Sequence, residues 1–254
     1  VGSVRAETTV RLGGASPDGG YTAAMNALKR QLDKSDGVTS EVIHHEGSED
    51  IANALCDGRV DFAPLQINAY AAAECSLRPV ATYGTEYAQI LFPPSSRNEE
   101  LHDLGKGSRV LVGDIGTGSA LTWDDFHNIE TGPDGNNSDW SAATPVYEPH
   151  LAAGGMATAG EIDAVFIVAK LDHPLVVSLI EAGWSPGEIE DKDLNDFAFN
   201  GKPLYDTACV KYSTSRWCYD VMQVDTIYAA PPSFADGNPK VIRKIMRVAG
   251  SLNR

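Results

Sequence analysis

The sequence predicts an α/β protein in two lobes, each a mixed or parallel sheet flanked by helices. Three observations carry that expectation. Strand-like and helix-like patterns alternate along the chain, the order that builds parallel sheets covered by helices. Two extended runs, each closed by a proline pair (Pro93-Pro94 and Pro231-Pro232), bracket its middle. Between them a short apolar strand, Val110 to Val112, enters a turn carrying Gly113, Gly116, Thr117, Gly118 and Ser119, and a helical pattern follows.

Thr8 to Leu12 alternates as a strand and ends in Gly13-Gly14. After a polar loop, 15–20, Tyr21, Met25, Leu28 and Leu32 form one helical stripe, broken by Gly37. Val38 to His44 reads as a second strand. Ser48 is placed to cap the next helix, with Glu49 and Asp50 in its first turn, Ile51 and Leu55 inward and Gly58 at its end. A short third strand covers 60–66. The run 77–92 is too long for an average strand and reads as a chain leaving one lobe for another.

A second alternating set follows the Gly-rich turn: a loop rich in Gly, Asn and Asp at 131–138, a strand at 144–147 and a helix around 151–159. The buried strand 162–169 leads to a helix at 174–182, with Pro174 near its first turn and Gly183 past its end. Residues 220–230 form the second extended run, and Asn238-Pro239 opens a last helix with Val241, Ile245 and Val248 on one face. The first lobe is therefore expected to be discontinuous, 1–91 with 225–254, and the second to hold 92–224. Hinge crossings near 88–93 and 221–231 would permit closure about a ligand cleft between the lobes.

A chain of 254 residues suits one large or two modest domains, and 43% hydrophobic with 22% charged residues describes a globular protein. The net charge of −15 argues against nucleic acid or anionic membrane as a partner. No run approaches the roughly 18 apolar residues of a membrane-spanning helix. The first nine residues carry no apolar stretch, so a signal peptide is expected to have been removed already.

Cys56, Cys75, Cys209 and Cys218 show no zinc spacing. Pairing them in sequential order closes the two shortest loops and implies an oxidising compartment; four buried free thiols in a cytosolic protein are the alternative. His44 and His45 are adjacent in a strand and point to opposite faces, and the other histidines have no paired spacing, so no metal is expected. No cofactor is expected either. The Gly-rich turn lacks the Lys of a P-loop, the spacing of a dinucleotide fingerprint and the nucleophile elbow. Its strand-to-helix form offers backbone N–H groups and two hydroxyls to a carboxylate or other small oxyanion. The plainer alternative is that Ser119 only caps the helix.

Four segments taken in order resemble the TAXI family of TRAP-transporter solute receptors, and more broadly a type II periplasmic binding protein. They are the glycine loop from Leu12 to Tyr21, the run from Gly58 to Tyr70, the turn Gly113 to Ser119, and the strand Ile162 to Ala169. The chain departs from the family at 15–18, at Asn68 and at Lys170. The resemblance implies a monomeric periplasmic receptor that captures a small anionic metabolite, a carboxylate or amino acid of glutamate type, and delivers it to TRAP permease subunits. It implies no chemistry on the solute, hence no enzyme. The expected contacts are Ser16, Tyr21, Gln66 and Tyr70 from the first lobe, and Tyr83, Glu86 and Tyr87 from the crossing strand. The second lobe adds Thr117, Gly118, Ser119, a wall from Phe166, and Lys170 as a counter-charge. A sensor ectodomain and an enzyme on the same fold are the competing readings; a neighbouring permease or kinase gene separates transport from sensing.

Overall fold

The computed structural model describes residues 8–17, 19–34, 37–213 and 215–252, the last three by backbone only. The N-terminal segment and Asp18 of the expected first loop lie outside the described residues. The chain forms two compact units, one of Val1–Gly84 with Thr226–Arg254 and one of Thr85–Asp225. The passages between them fall at Gly84/Thr85 and Asp225/Thr226, where the sequence placed crossings near 88–93 and 221–231.

The first unit begins with β1 (Thr8–Gly14), α1 (Gly20–Leu32) and β2 (Val38–His44). The two strands run parallel in register from Thr8↔Val38 to Gly14↔His44. The apolar stripe of α1, Tyr21, Met25, Leu28 and Leu32, is buried as its spacing requires. Next come α2 (Ser48–Cys56), the wholly buried β3 (Ala63–Gln66) and α3 (Ile67–Ala72). Just before β3, the Asp61 carboxylate accepts from the Arg11 backbone N–H at 2.8 Å and from its guanidinium at 2.6 and 3.0 Å, tying β1 to the entry of β3. The long run is β4 (Arg78–Phe92), 15 residues.

The second unit contains β5 (Arg109–Leu111), α4 (Gly118–Thr131), β6 (Thr144–Val146), α5 (Ala153–Thr158), β7 (Ala164–Ala169) and α6 (Pro174–Glu181). β5 lies between β6 and β7 and is parallel to both, as helical connections dictate. β7 is antiparallel to β4, Tyr87↔Ala169 through Leu91↔Val165. The helix expected over 151–159 is split into a 3-10 turn, His150–Ala152, and the shorter α5.

The segment after Gly183 gave no readable sequence pattern and is built of short pieces. They are β8 (Ser185–Gly187), α7 (Lys192–Asp196), β9 (Ala198–Phe199), β10 (Lys202–Pro203) and β11 (Tyr205–Val210). β8 pairs with β4, and β11 pairs antiparallel with the second long strand, β12 (Tyr219–Ala230). β12 then pairs antiparallel with β3 in the first unit, Thr226↔Gln66 through Ala229↔Ala63. Two helices, α8 (Pro232–Gly237) and α9 (Pro239–Leu252), close the chain, with α9 against α1. No described helix is long and apolar enough to cross a membrane. Cys56 is bonded to Cys75 and Cys209 to Cys218.

Candidate functional site

In the second unit the candidate site is the turn between β5 and α4. Gly113 and Gly116 both sit at φ +90°, a region that L side chains avoid. A Cβ on Gly113 would also fall 2.7 Å from His150 Cε1. The glycines let the chain turn sharply enough for Thr117, not Ser119, to cap α4. The Thr117 hydroxyl accepts from Ala120 N–H at 3.2 Å and donates to the Asp114 carbonyl at 2.7 Å, and its own N–H also goes to that carbonyl. The expected donor set of Thr117, Gly118 and Ser119 is thereby corrected. Thr117 is spent on the turn itself, whereas the N–H groups of Gly118 and Ser119 have no acceptor among the described residues. Two free donors at the N-terminus of a 14-residue helix are a place for negative charge.

The Ser119 hydroxyl has a role that sequence could not show. β5 ends at Leu111, opposite Val165, while β7 continues, so the outer edge of β7 loses its neighbour. Continued in register, Gly113 would stand opposite Ile167 and bond to Phe166 O and Val168 N. Instead Ser119 Oγ, 6% exposed, accepts from Val168 N–H at 2.9 Å, and His150 Nε2 donates to Phe166 O at 2.8 Å. Two side chains thus replace the backbone of a missing strand residue.

Burial, the largest influence, holds His150 below the usual imidazole value of 6.5, against the opposing pull of the Phe166 carbonyl. His173, which caps α6 by accepting from Leu175 N–H, is lowered by burial too. With folded-state values below unfolded ones, the unfolded chain binds protons first as pH falls. The stability of the second unit is therefore complete above about pH 6.5 and declines below it. Urea midpoints at neutral and mildly acidic pH are expected to show this decline, and His150→Gln, which keeps an N–H for Phe166 O, to flatten it. An unchanged pH slope in that variant removes His150 as the cause.

In the first unit the expected contacts gather around the C-terminal end of β3. Gln66 is 2% exposed and its N–H goes to Ser48 Oγ at 3.2 Å, which in turn lies 3.5 Å from Tyr21 Oη. Ser48 is therefore not the helix cap expected of it; its hydroxyl ties the first residue of α2 to the end of β3. Tyr21 meets Tyr83 edge to face, with centroids 5.4 Å apart, and Tyr83 Oη donates to Gly20 O at 3.4 Å.

Against solved structures the chain resembles the alkanesulfonate-binding protein SsuA from Xanthomonas axonopodis pv. citri bound to MOPS. The identity is 15% and the TM-score 0.58, over 97% of this chain and 73% of that one. It resembles the substrate-binding protein of an amino acid ABC transporter at 14% identity and TM-score 0.58, over 96% and 93%. It resembles the GluR0 ligand-binding core complexed with L-glutamate at 14% and 0.56, over 99% and 93%. The fold is that of the type II periplasmic binding proteins. No protein-family model matches the chain, and no curated protein matches it.

The remaining expected contacts divide between the two units. Ser16 is exposed in the first loop, where its carbonyl accepts from Gly19 N–H. Tyr70 leaves α3 with its hydroxyl donating to Leu77 O at 3.2 Å. Glu86 and Tyr87 are half-buried on β4 in the second unit, Tyr87 against the apolar core around Leu91 and Val221. Lys170 is exposed just beyond β7. Phe166 is corrected from wall to core: it is fully buried, its ring 5.2 Å from Trp123 and 5.7 Å from Phe126. Sequence reasoning missed His150 and gave Ser48 the wrong role, because each acts on backbone brought close only by folding.

Proposed function

We propose that this chain is an extracytoplasmic solute-binding receptor for a small anionic metabolite, a carboxylate or amino acid of glutamate type. It binds without chemistry and passes the solute to a TRAP-type membrane permease. The observation that carries this reading is the pair of unengaged N–H groups, Gly118 and Ser119, at the start of α4. The Ser119 hydroxyl adds a third donor, since accepting from Val168 leaves its hydrogen free to donate. Support comes also from the fold shared with proteins solved with MOPS and L-glutamate, both of which carry an acidic group. The two disulfides fit a periplasmic location. The permease partner rests on the TAXI resemblance of the glycine loop, the 58–70 run, the turn and the late strand. A protein of net charge −15 does not attract anions at long range, so local donors must supply the affinity.

Mass spectrometry of solute released from denatured protein names the ligand, which is expected to carry a carboxylate or comparable oxyanion. Calorimetry with that solute then separates the two hydroxyls. Ser119→Ala is expected to weaken binding about ten- to a hundredfold, roughly 1.5–3 kcal/mol for a hydrogen bond to a charged group. Thr117→Val is expected to cost about 1 kcal/mol of stability through the lost cap and to leave affinity intact. Ser119→Ala also strands the buried Val168 N–H, so affinities are compared on protein shown to be folded. A released solute without an anionic group, or full affinity in Ser119→Ala, overturns the reading.

A further inference from the structure

We infer that the second unit carries a cation site, independent of the solute site, built from Glu130, Asp191 and Asp193 and suited to calcium. One carboxylate oxygen from each of the three lies within 4.8 Å of the others. Glu130, near the end of α4, is the telling member. It is 0% exposed; one oxygen accepts from Ser138 N–H, and the other, Oε2, is buried with no hydrogen-bond partner. Among the described residues no Lys or Arg nitrogen comes within 4.0 Å of Glu130 or Asp193. A buried carboxylate without a counter-charge is costly, and a bound cation removes that cost.

The other two carboxylates are held in place and keep free acceptor capacity. Asp191, 6% exposed, caps α7 through Oδ1, while Oδ2 takes a long 3.3 Å bond from Trp140 Nε1 and lies 3.6 Å from His102 Nε2. Asp193 accepts from Asn136 N–H through Oδ2, and its Oδ1 has no partner among the described residues. The loop 131–138, rich in Gly, Asn and Asp, wraps this cluster. Asn137 at φ +53° returns its N–H to Glu130 O. A cavity of about 350 Å³ lined by Gly132, Asp134, Lys192 and Asp193 opens beside Asp193. An all-oxygen set selects a hard cation, and an irregular set of carboxylates from the end of α4 and the start of α7 suits calcium better than magnesium, which demands a rigid octahedron and keeps its water. Zinc is disfavoured because the nearest imidazole nitrogen, His102 Nε2, faces the Glu190 carbonyl at 3.2 Å and so carries a proton.

The test uses the full chain after chelator treatment, with terbium as a luminescent calcium substitute. Trp140, bonded to Asp191, is placed to sensitise terbium emission. Sensitised emission that calcium displaces, together with a calcium-dependent rise in melting temperature, is the expected result. Glu130→Gln keeps an acceptor for Ser138 N–H, and Asp193→Asn lies nearer the surface; each is expected to weaken the displacing calcium affinity about tenfold or more. Should Glu130→Gln fail to fold, Asp193→Asn alone decides. No sensitised emission, or calcium stabilisation that persists unchanged in the variants, overturns the site. Such persistence marks diffuse attraction to an acidic protein.

Discussion

Replacing Phe166 with alanine is expected to lower the stability of the second unit by about 3–5 kcal/mol, the range for removing a buried aromatic ring. Phe166 is fully buried on β7, and its ring packs edge to face on Trp123 and Phe126 from α4. Phe126 continues the cluster to Tyr205 at 4.9 Å, and Tyr205 Oη is fastened to Asp125 at 2.7 Å. Large rings fixed from two sides do not collapse into the space a missing ring leaves, so both burial and contact energy are lost. Urea denaturation of the variant measures the loss, and Phe166→Leu, which refills much of the volume, is expected to recover a large part of it. A variant with unchanged stability but weakened solute binding would show instead that the ring forms a ligand wall.

Removing either disulfide is expected to cost about 3 kcal/mol by the loop-entropy estimate. The two enclose loops of similar consequence, with sequence separations of 19 and 9. Cys56–Cys75 joins the end of α2 to the segment after α3 and so encloses β3, the strand whose end positions Gln66. Cys209–Cys218 closes the hairpin of β11 and β12. Because the bridges lie in different units, the losses in paired Cys→Ser variants are expected to add. Denaturation with and without reductant checks the magnitude, and peptide mapping without reductant checks the pairing. Four free thiols in protein prepared under oxidising conditions would rule out both the bridges and the periplasmic assignment.

What the sequence determined by itself was periodic or punctuated. The stripe Tyr21, Met25, Leu28 and Leu32 announces α1 because a 3.6-residue period is a local property, and the 77–92 run announces β4 by its length. Gly113 and Gly116 mark the turn before α4 because a positive φ is a demand on one residue, not on its neighbours. Sequential disulfide pairing was legible from loop length. Tertiary structure alone decided which hydroxyl does what. Thr117 and Ser119 look alike in sequence, yet one caps α4 while the other reaches Val168 across 49 residues. The same holds for His150 on Phe166 and for Ser48 on Gln66. The carboxylates of Glu130 and Asp191, 61 positions apart, meet only because the loop after α4 and the start of α7 are folded together. Each such partner is a backbone group or side chain left unsatisfied where a strand or helix ends. Where an element ends relative to its neighbour is set by packing between elements, so a periodicity read along one chain carries no record of it.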